Sequence, residues 1–231
     1  MKIESLHKHF LESTGVCTDT RKIIPGCVFF ALKGENFNGN SFATTALEMG
    51  ATLAVVDEEQ YHTKENTWLC DDVLKTLQKL ATFHRNFLKI PIIALTGSNG
   101  KTTSKELIHA VLSQKYHCIA TKGNLNNHIG VPLTLLSMDR ETEIGLVEMG
   151  ANHLGEIALL VEIANPDYGY ITNFGKAHLE GFGSLEGVIK GKSELYRFLK
   201  LKHKSICEWR RCQTNGTHAK LDRIIFNGST Q

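Results

Sequence analysis

No apolar run in the 231 residues is long enough to cross a bilayer. The most apolar stretch, Ile90 to Thr96, falls far short of the roughly 20 residues a spanning helix takes, so membrane insertion is not expected. The opening Met1-Lys2-Ile3-Glu4-Ser5-Leu6-His7 has no apolar core of the kind a signal peptide needs. No basic tract occurs either. The 26 Lys and Arg nearly balance the 24 Asp and Glu, leaving a net charge of +2, and this excludes a dedicated nucleic-acid surface. The six cysteines, Cys17, Cys27, Cys70, Cys118, Cys207 and Cys212, contain no C-x-x-C pair. They read as small, mostly buried apolar residues in a reducing compartment, and a cytoplasmic location is expected. Internal repeats and low-complexity tracts are also missing.

With 42% apolar and 22% charged residues, the chain has the composition of a globular protein, and its length predicts more than one domain. Residues 1–86 form a first unit. Val16 to Arg21 and Cys27 to Leu32 read as short strands around the turn signal Ile24-Pro25-Gly26. A helix capped by Ser41 runs to Met49 with Gly50 placed to end it. Thr52 to Val56 is a buried strand, and Val73, Leu74, Leu77, Leu80, Ala81 and His84 recur at helical spacing. From Ile90 the pattern changes to strand–helix alternation. Strands are predicted at 91–96, 117–121, 144–149 and 167–172, and helices at 102–114, 128–137, 154–163 and 184–199. Such alternation predicts an α/β fold with a mostly parallel sheet and helices on both faces. Ligands of such sheets gather at the carboxyl ends of the strands.

One of those strand ends carries the most specific signal. Ile92-Ile93-Ala94-Leu95-Thr96 runs into Gly97-Ser98-Asn99-Gly100-Lys101-Thr102-Thr103, and a helical pattern follows. A strand, a glycine turn and a helix in that order suit a phosphate. Gly97 and Gly100 free the backbone to turn N–H groups onto an anion. The helix start adds unpaired donors and the positive end of its dipole. Lys101 is expected on the β/γ-phosphates and the Thr102 hydroxyl on Mg²⁺. The loop departs from Gly-x-x-x-x-Gly-Lys-Ser/Thr, because Leu95 stands at the first glycine; it is closer to Thr-Gly-x-x-Gly-Lys-Thr. A plain glycine turn capping a helix, with Lys101 solvated, is the alternative.

Further polar groups follow other strands. Glu148 closes the apolar Ile144-Gly145-Leu146-Val147, where an unpaired carboxylate is costly. Beside a phosphate loop it reads as a Mg²⁺ ligand, and otherwise as a helix cap. His178 follows Tyr168 to Thr172 through a short loop and is a metal ligand or a structural hydrogen-bonder. Lys192, in Gly191-Lys192-Ser193-Glu194-Leu195 on a helix bearing the Glu186–Lys190 pair, reads on spacing alone as surface. Asn124-Leu125-Asn126-Asn127 is an amide-rich turn that either donates to a ligand's carboxylates or caps a helix through Asn127. In the first unit, Thr18-Asp19-Thr20-Arg21 offers an arginine that clamps a diphosphate or merely pairs with Asp19.

These segments in this order resemble the Mur ligase family. The carrying stretches are Thr96 to Thr103, Gly123 to Thr134, Glu148-Met149-Gly150-Ala151-Asn152, Ile171 to Glu180 and Gly191-Lys192-Ser193-Glu194, with Thr18 to Lys22 and Pro25-Gly26 ahead of them. The Glu148 to Asn152 stretch is most like the member that adds D-alanyl-D-alanine to UDP-N-acetylmuramoyl-tripeptide. The resemblance implies an ATP- and Mg²⁺-dependent ligase of peptidoglycan synthesis. The tripeptide carboxylate would attack the γ-phosphate, and the dipeptide amine would displace phosphate from the acyl phosphate. It implies catalytic roles for Lys101, His178 and Lys192, and ATP contacts from Gly97, Ser98, Asn99, Gly100, Lys101, Thr102 and Thr103. It also implies metal ligation by Thr102, Glu148, His178 and a carbamylated Lys192. Substrate contacts would come from Thr18, Asp19, Thr20, Arg21, Asn126 and Asn127. Residues 1–86 would then seat the UDP substrate and 87–231 the ATP, in a monomer.

The chain also departs from the family. Members are close to twice as long, with a third domain that closes over the site, and that domain is expected to be missing. From about 202 to 220 the residues match neither the expected strand nor an Asn-x-Asp-Asp-like segment, which predicts a truncation or a local frame disturbance. Leu221 to Gly228 reads as strand-like again. His203, Cys207, Cys212 and His218 fit no zinc spacing. Impaired turnover is therefore expected. The alternatives are a non-catalytic nucleotide- or UDP-sugar-binding fragment, a sister Mur ligase, or a folylpolyglutamate-synthase-like enzyme.

Overall fold

The structure, a computed structural model, describes residues 2–175, 179–202, 204–209 and 224–226. Two compact units emerge, Met1–Lys89 with Pro132–Asp139, and Ile90–Val131 with Arg140–Gln231.

The first unit contains α1 (Ile3–Leu11), β1 (Val16–Cys17), β2 (Val28–Phe30), the hairpin β3 (Lys33–Gly34) and β4 (Phe37–Asn38), α2 (Ala43–Glu48), β5 (Leu53–Val56), β6 (Thr67–Leu69) and α3 (Val73–Leu88). Its sheet runs β1-β2-β5-β6 with every pair parallel. Strands of a parallel sheet are covered on both faces, which is why β2 and β5 are apolar without alternation. Phe29, Ala31, Ala54 and Val56 pack with Ala43 and Ala46 of α2 in one cluster.

Two expectations for this unit need correction. Strand stops at Cys17, because the Asp19 carboxylate accepts from Arg21 N at 3.0 Å and folds Thr20–Lys22 into a 3₁₀ turn. Ser41 does not cap α2. Its hydroxyl donates to Asn38 O, and Gly39–Phe42 forms a 3₁₀ turn capped by Asn38.

The second unit begins with β7 (Ile92–Thr96), α4 (Lys101–Leu112) and β8 (Cys118–Ala120). Next comes α5 (Gly130–Leu136), whose residues from Pro132 onward cluster with the first unit. Then follow β9 (Ile144–Glu148), α6 (Glu156–Ala164), β10 (Tyr168–Ile171), α7 (Leu179–Phe182), α8 (Leu185–Lys192), α9 (Glu194–Leu201), β11 (Ser205–Trp209) and β12 (Ile224–Phe226). The sheet order is β12-β11-β10-β7-β9-β8, parallel except for the β11–β12 pair. The α/β architecture with a mostly parallel sheet is thus as the alternation predicts.

Three details differ. The helix expected at 184–199 is divided at Ser193, where the Glu194 carboxylate turns to the N–H groups of Gly155 and Ala158 at 2.9 and 2.8 Å. The helix expected from 128 starts at Gly130, because Asn127 Oδ1 accepts from Ile129 N and Gly130 N. Ser205–Trp209, inside the stretch that matched no expected strand, is a strand paired with β10.

Candidate functional site

β7 sits in the middle of its sheet, so the loop after Thr96 emerges between β9 and β10. Gly97 has φ +148°, and a Cβ there would run into Thr172 Oγ1. Gly100, at φ +74°, is the left-handed residue from which α4 starts. Both positions require glycine.

The loop is tied to the exit of β10. Ser98 N donates to Asn173 O and Asn99 N to Asn173 Oδ1, both at 3.1 Å. Asn173 Nδ2 and Thr172 Oγ1 donate in return to Asn99 O at 3.0 and 2.7 Å, and Ser98 Oγ donates to Gly175 O at 2.9 Å. The N–H groups of Ser98 and Asn99 thus serve Asn173 and do not face an anion. The first turn of α4 supplies the donors instead. N–H groups of Lys101, Thr102 and Thr103 have no intrahelical acceptor, and the positive end of the helix dipole lies among them. The Lys101 ammonium folds over the same loop, 2.9 Å from Gly97 O and 3.4 Å from Ser98 O.

Facing this turn is Glu148, at the end of β9 and only 1% exposed. Its carboxylate accepts from Thr102 Oγ1 at 3.1 Å and from Asn126 Nδ2 at 2.9 Å, so the helix-cap alternative does not hold. The Glu148 N–H donates to Thr121 Oγ1 at 2.9 Å. Thr96 Oγ1 donates to Met149 O at 2.7 Å, which keeps the ends of β7 and β9 level. Gly150 lets the Asn126 side chain lie against the backbone.

A cavity of about 420 Å³ opens beside these groups, lined among others by Lys101, Asn126, Asn127, Asn152 and Glu156. Glu156 accepts from the N–H groups of Asn152 and His153 at 2.6 and 3.1 Å and starts α6 after Gly155. Asn127 both lines the cavity and caps α5.

Lys192 corrects the surface expectation: it is 1% exposed, with its ammonium 5.5 Å from the centre of the Phe182 ring. Burial, and next the repulsion of Lys101, push its pKa down to about 8 against the opposing pull of Glu156.

Lys101, Thr102, Asn126, Asn127, Glu148 and Lys192 therefore all belong to the second unit. Thr18, Asp19, Thr20 and Arg21 lie in the first. There Arg21 is paired with Asp19, Nε to Oδ1 at 2.9 Å and Nη2 to Oδ2 at 2.8 Å. His178 lies outside the described residues, as do His203, Cys212 and His218. No group of three or more His, Cys, Asp or Glu poised to hold a metal occurs among the described residues. Sequence reasoning missed Lys105, Thr121, Asn173 and Glu156. For Lys105 a signal existed, since it stands one turn after Lys101 on the same helix face.

A mostly parallel sheet with a glycine loop, a lysine and a threonine at the start of the following helix, and a buried carboxylate on the adjacent strand is the arrangement of the phosphate-loop class of α/β proteins. The Mur ligase middle-domain model matches residues 95–222, and the Mur ligase family catalytic-domain model matches residues 12–85. The chain belongs to the Mur ligase family. It is 47% identical over 188 residues to UDP-N-acetylmuramoyl-tripeptide–D-alanyl-D-alanine ligase of Bacillus subtilis, covering 80% of this chain and 41% of that protein. Against the Escherichia coli ligase of the same name the figures are 44% over 181 residues, 78% and 40%. Among solved structures, MurF ligase from Thermotoga maritima in complex with ADP superposes with a TM-score of 0.74 at 33% identity, over 82% of this chain and 44% of that one. The chain thus spans about 40% of the length of the curated relatives it matches.

Proposed function

We propose that this chain carries the nucleotide-binding part of an ATP-dependent ligase that joins D-alanyl-D-alanine to UDP-N-acetylmuramoyl-tripeptide. The observation that carries this reading is the Thr102–Glu148 contact beside Lys101 at the head of α4, in a chain so similar to ligases of that name. Lys101 and the first N–H groups of α4 grip the β/γ-phosphates, where negative charge grows as the tripeptide carboxylate attacks. Asn126 and Asn127 orient the substrate from the cavity wall. Thr18, Asp19, Thr20 and Arg21 contact the UDP end from the first unit.

Thr102 Oγ1 and Glu148 Oε2 are hard oxygen donors lying side by side, a set that suits Mg²⁺. Those two residues would hold it, with His178 and a carbamylated Lys192 taking part in a second site. When bound, the metal supplies charge neutralisation at the phosphate oxygens. Carbamylation needs a neutral amine, and the lowered pKa of Lys192 favours it. The protein is read as a cytoplasmic monomer. Among the described residues no helix is long and apolar enough to cross a membrane.

Titration of the chain with Mg-ATP tests the reading. Wild type should bind, and Lys101→Ala should weaken binding roughly a hundredfold, since it removes a charge-assisted contact worth about 3 kcal/mol. Equal binding by the two proteins would rule the site out. Phosphate release that requires both UDP-tripeptide and D-alanyl-D-alanine would separate a ligase from a non-catalytic nucleotide-binding piece.

A further inference from the structure

Lys105 is a fully buried lysine to which the proposed function gives no role. Its ammonium donates to Thr121 O at 2.6 Å and lies 2.9 Å from Glu106 Oε1. A helix face packed on a sheet is ordinarily served by an aliphatic residue, because burying an ammonium costs several kcal/mol unless it is paired and hydrogen-bonded. The bond Lys105 makes is to the residue just after β8.

Thr121 is also tied on its other side. Its backbone N–H donates to Leu146 O at 2.9 Å, and its hydroxyl accepts from Glu148 N at 2.9 Å. A continuous chain of contacts therefore runs from α4 through Lys105 to Thr121, on to the backbone of Glu148, and back through the Glu148 carboxylate to Thr102 on α4. Lys105 follows Thr102 by three residues, so the two side chains leave the helix on neighbouring faces. Rotation of α4 about its axis, or a slide along β8, would stretch the Lys105–Thr121 bond and the Thr102–Glu148 bond together.

We infer that Lys105 is a positioning residue for the divalent-cation site, fixing α4 against β8 so that the Thr102 hydroxyl and the Glu148 carboxylate stay within reach of one ion. This rests on the proposed role of Thr102 and Glu148. Outer-shell groups that hold metal ligands in place typically change metal affinity by about 10- to 100-fold when removed.

The test is ADP affinity of the chain, measured by calorimetry with Mg²⁺ and again in excess chelator; the ratio of the two is the metal-dependent gain. Lys105→Met should cut that gain about tenfold while changing the metal-free affinity less than about threefold. Lys105→Gln, which keeps a donor for Thr121 O, should restore much of it. Thr121→Val removes the hydroxyl at the other end of the chain without touching Lys105, and should reproduce the loss even if the methionine variant does not fold. A wild-type gain in folded Lys105→Met or in Thr121→Val overturns the inference, as does an equal loss with and without metal. Thr102→Val tells the two failures apart. If it abolishes the gain while Lys105→Met and Thr121→Val do not, only the positioning role is lost. If wild type itself shows no gain, the metal reading fails with it.

Discussion

Two histidines buried in the first unit should make it acid-labile. His7 of α1 and His84 of α3 are 4% and 1% exposed, with His7 Nε2 3.0 Å from His84 Nδ1 and His84 Nε2 2.8 Å from Met138 O. A carbonyl only accepts, so His84 Nε2 carries a hydrogen and, in the neutral ring, Nδ1 offers a lone pair. His7 Nε2 must then donate to it. A proton added to His84 Nδ1 would set two N–H groups against each other, whereas His7 can accept one at Nδ1 with the bond intact. Phe10, Phe83 and Phe87 surround the pair, and Asp139 is the acidic group near His84. Burial lowers the pKa of both rings, that of His7 from 6.5 to about 4, with His84 adding to the shift.

The sign follows from the depressed values. The unfolded chain takes up a proton near pH 6.5 and the folded one only near 4, so the stabilising contribution is whole above pH 6.5 and is lost as pH falls toward 4. At about 1.4 kcal/mol per pH unit, His7 alone accounts for about 3 kcal/mol over that window. This is a large part of a typical net stability of about 5–15 kcal/mol. Urea unfolding followed by a probe in the first unit, from pH 7.5 to 4.5, measures it. His7→Leu should be less stable at pH 7.5, since His84 Nδ1 loses its donor, yet should show a clearly shallower decline with acid. Parallel pH profiles for the two proteins would refute the tautomer argument.

Three further outcomes are expected. Gly97→Ala should destabilise the second unit by roughly 1–3 kcal/mol in urea, because its φ of +148° and the nearby Thr172 leave no room for a methyl group. Asn173→Ala removes the paired bonds to the Asn99 backbone and should weaken ATP binding about tenfold with little change in Tm; unchanged affinity would mean the loop holds its shape alone. With labelled bicarbonate near pH 8, where about half of Lys192 is neutral against roughly 0.3% of an ordinary lysine, a carbamate carbon signal should appear in wild type and vanish in Lys192→Arg.

What was legible in the sequence is what local chemistry dictates. Gly97, Gly100 and Lys101 identify the loop because only a left-handed glycine turn joins a strand to a helix in so few residues. Glu148 stood out because a carboxylate closing an apolar strand needs a partner, and Thr102 and Asn126 supply it. The parallel sheet followed from alternation. Features set by residues distant in sequence could not be read in the same way. Burial of Lys192 depends on Phe182 and on how α8 packs, which helical spacing does not encode. The grip of Asn173 on Asn99 spans 74 positions. Helix α1 escaped notice because it is short and Lys2 gives it no side-chain cap. Asp19 shows the opposite case, a local signal misread: an aspartate two residues ahead of an available N–H favours a turn over a strand.

The charges around the second-unit site argue for a polyanion independently of any motif. Lys192 is buried close enough to Lys101 for repulsion to lower its pKa, with Glu156 opposing that shift. A fold selected for stability alone gains nothing from setting two ammonium groups against each other in a region of low dielectric. The Glu148 carboxylate takes its hydrogen bonds from the neutral Thr102 hydroxyl and Asn126 amide and from neither ammonium. The strain is relieved by an incoming anion, or by turning one amine into an anionic carbamate. Either change converts a destabilising pair into binding energy held ready for negative charge. Nucleotide binding should accordingly raise the thermal stability of the second unit more in wild type than in Lys192→Met, in which the repulsion has already been removed.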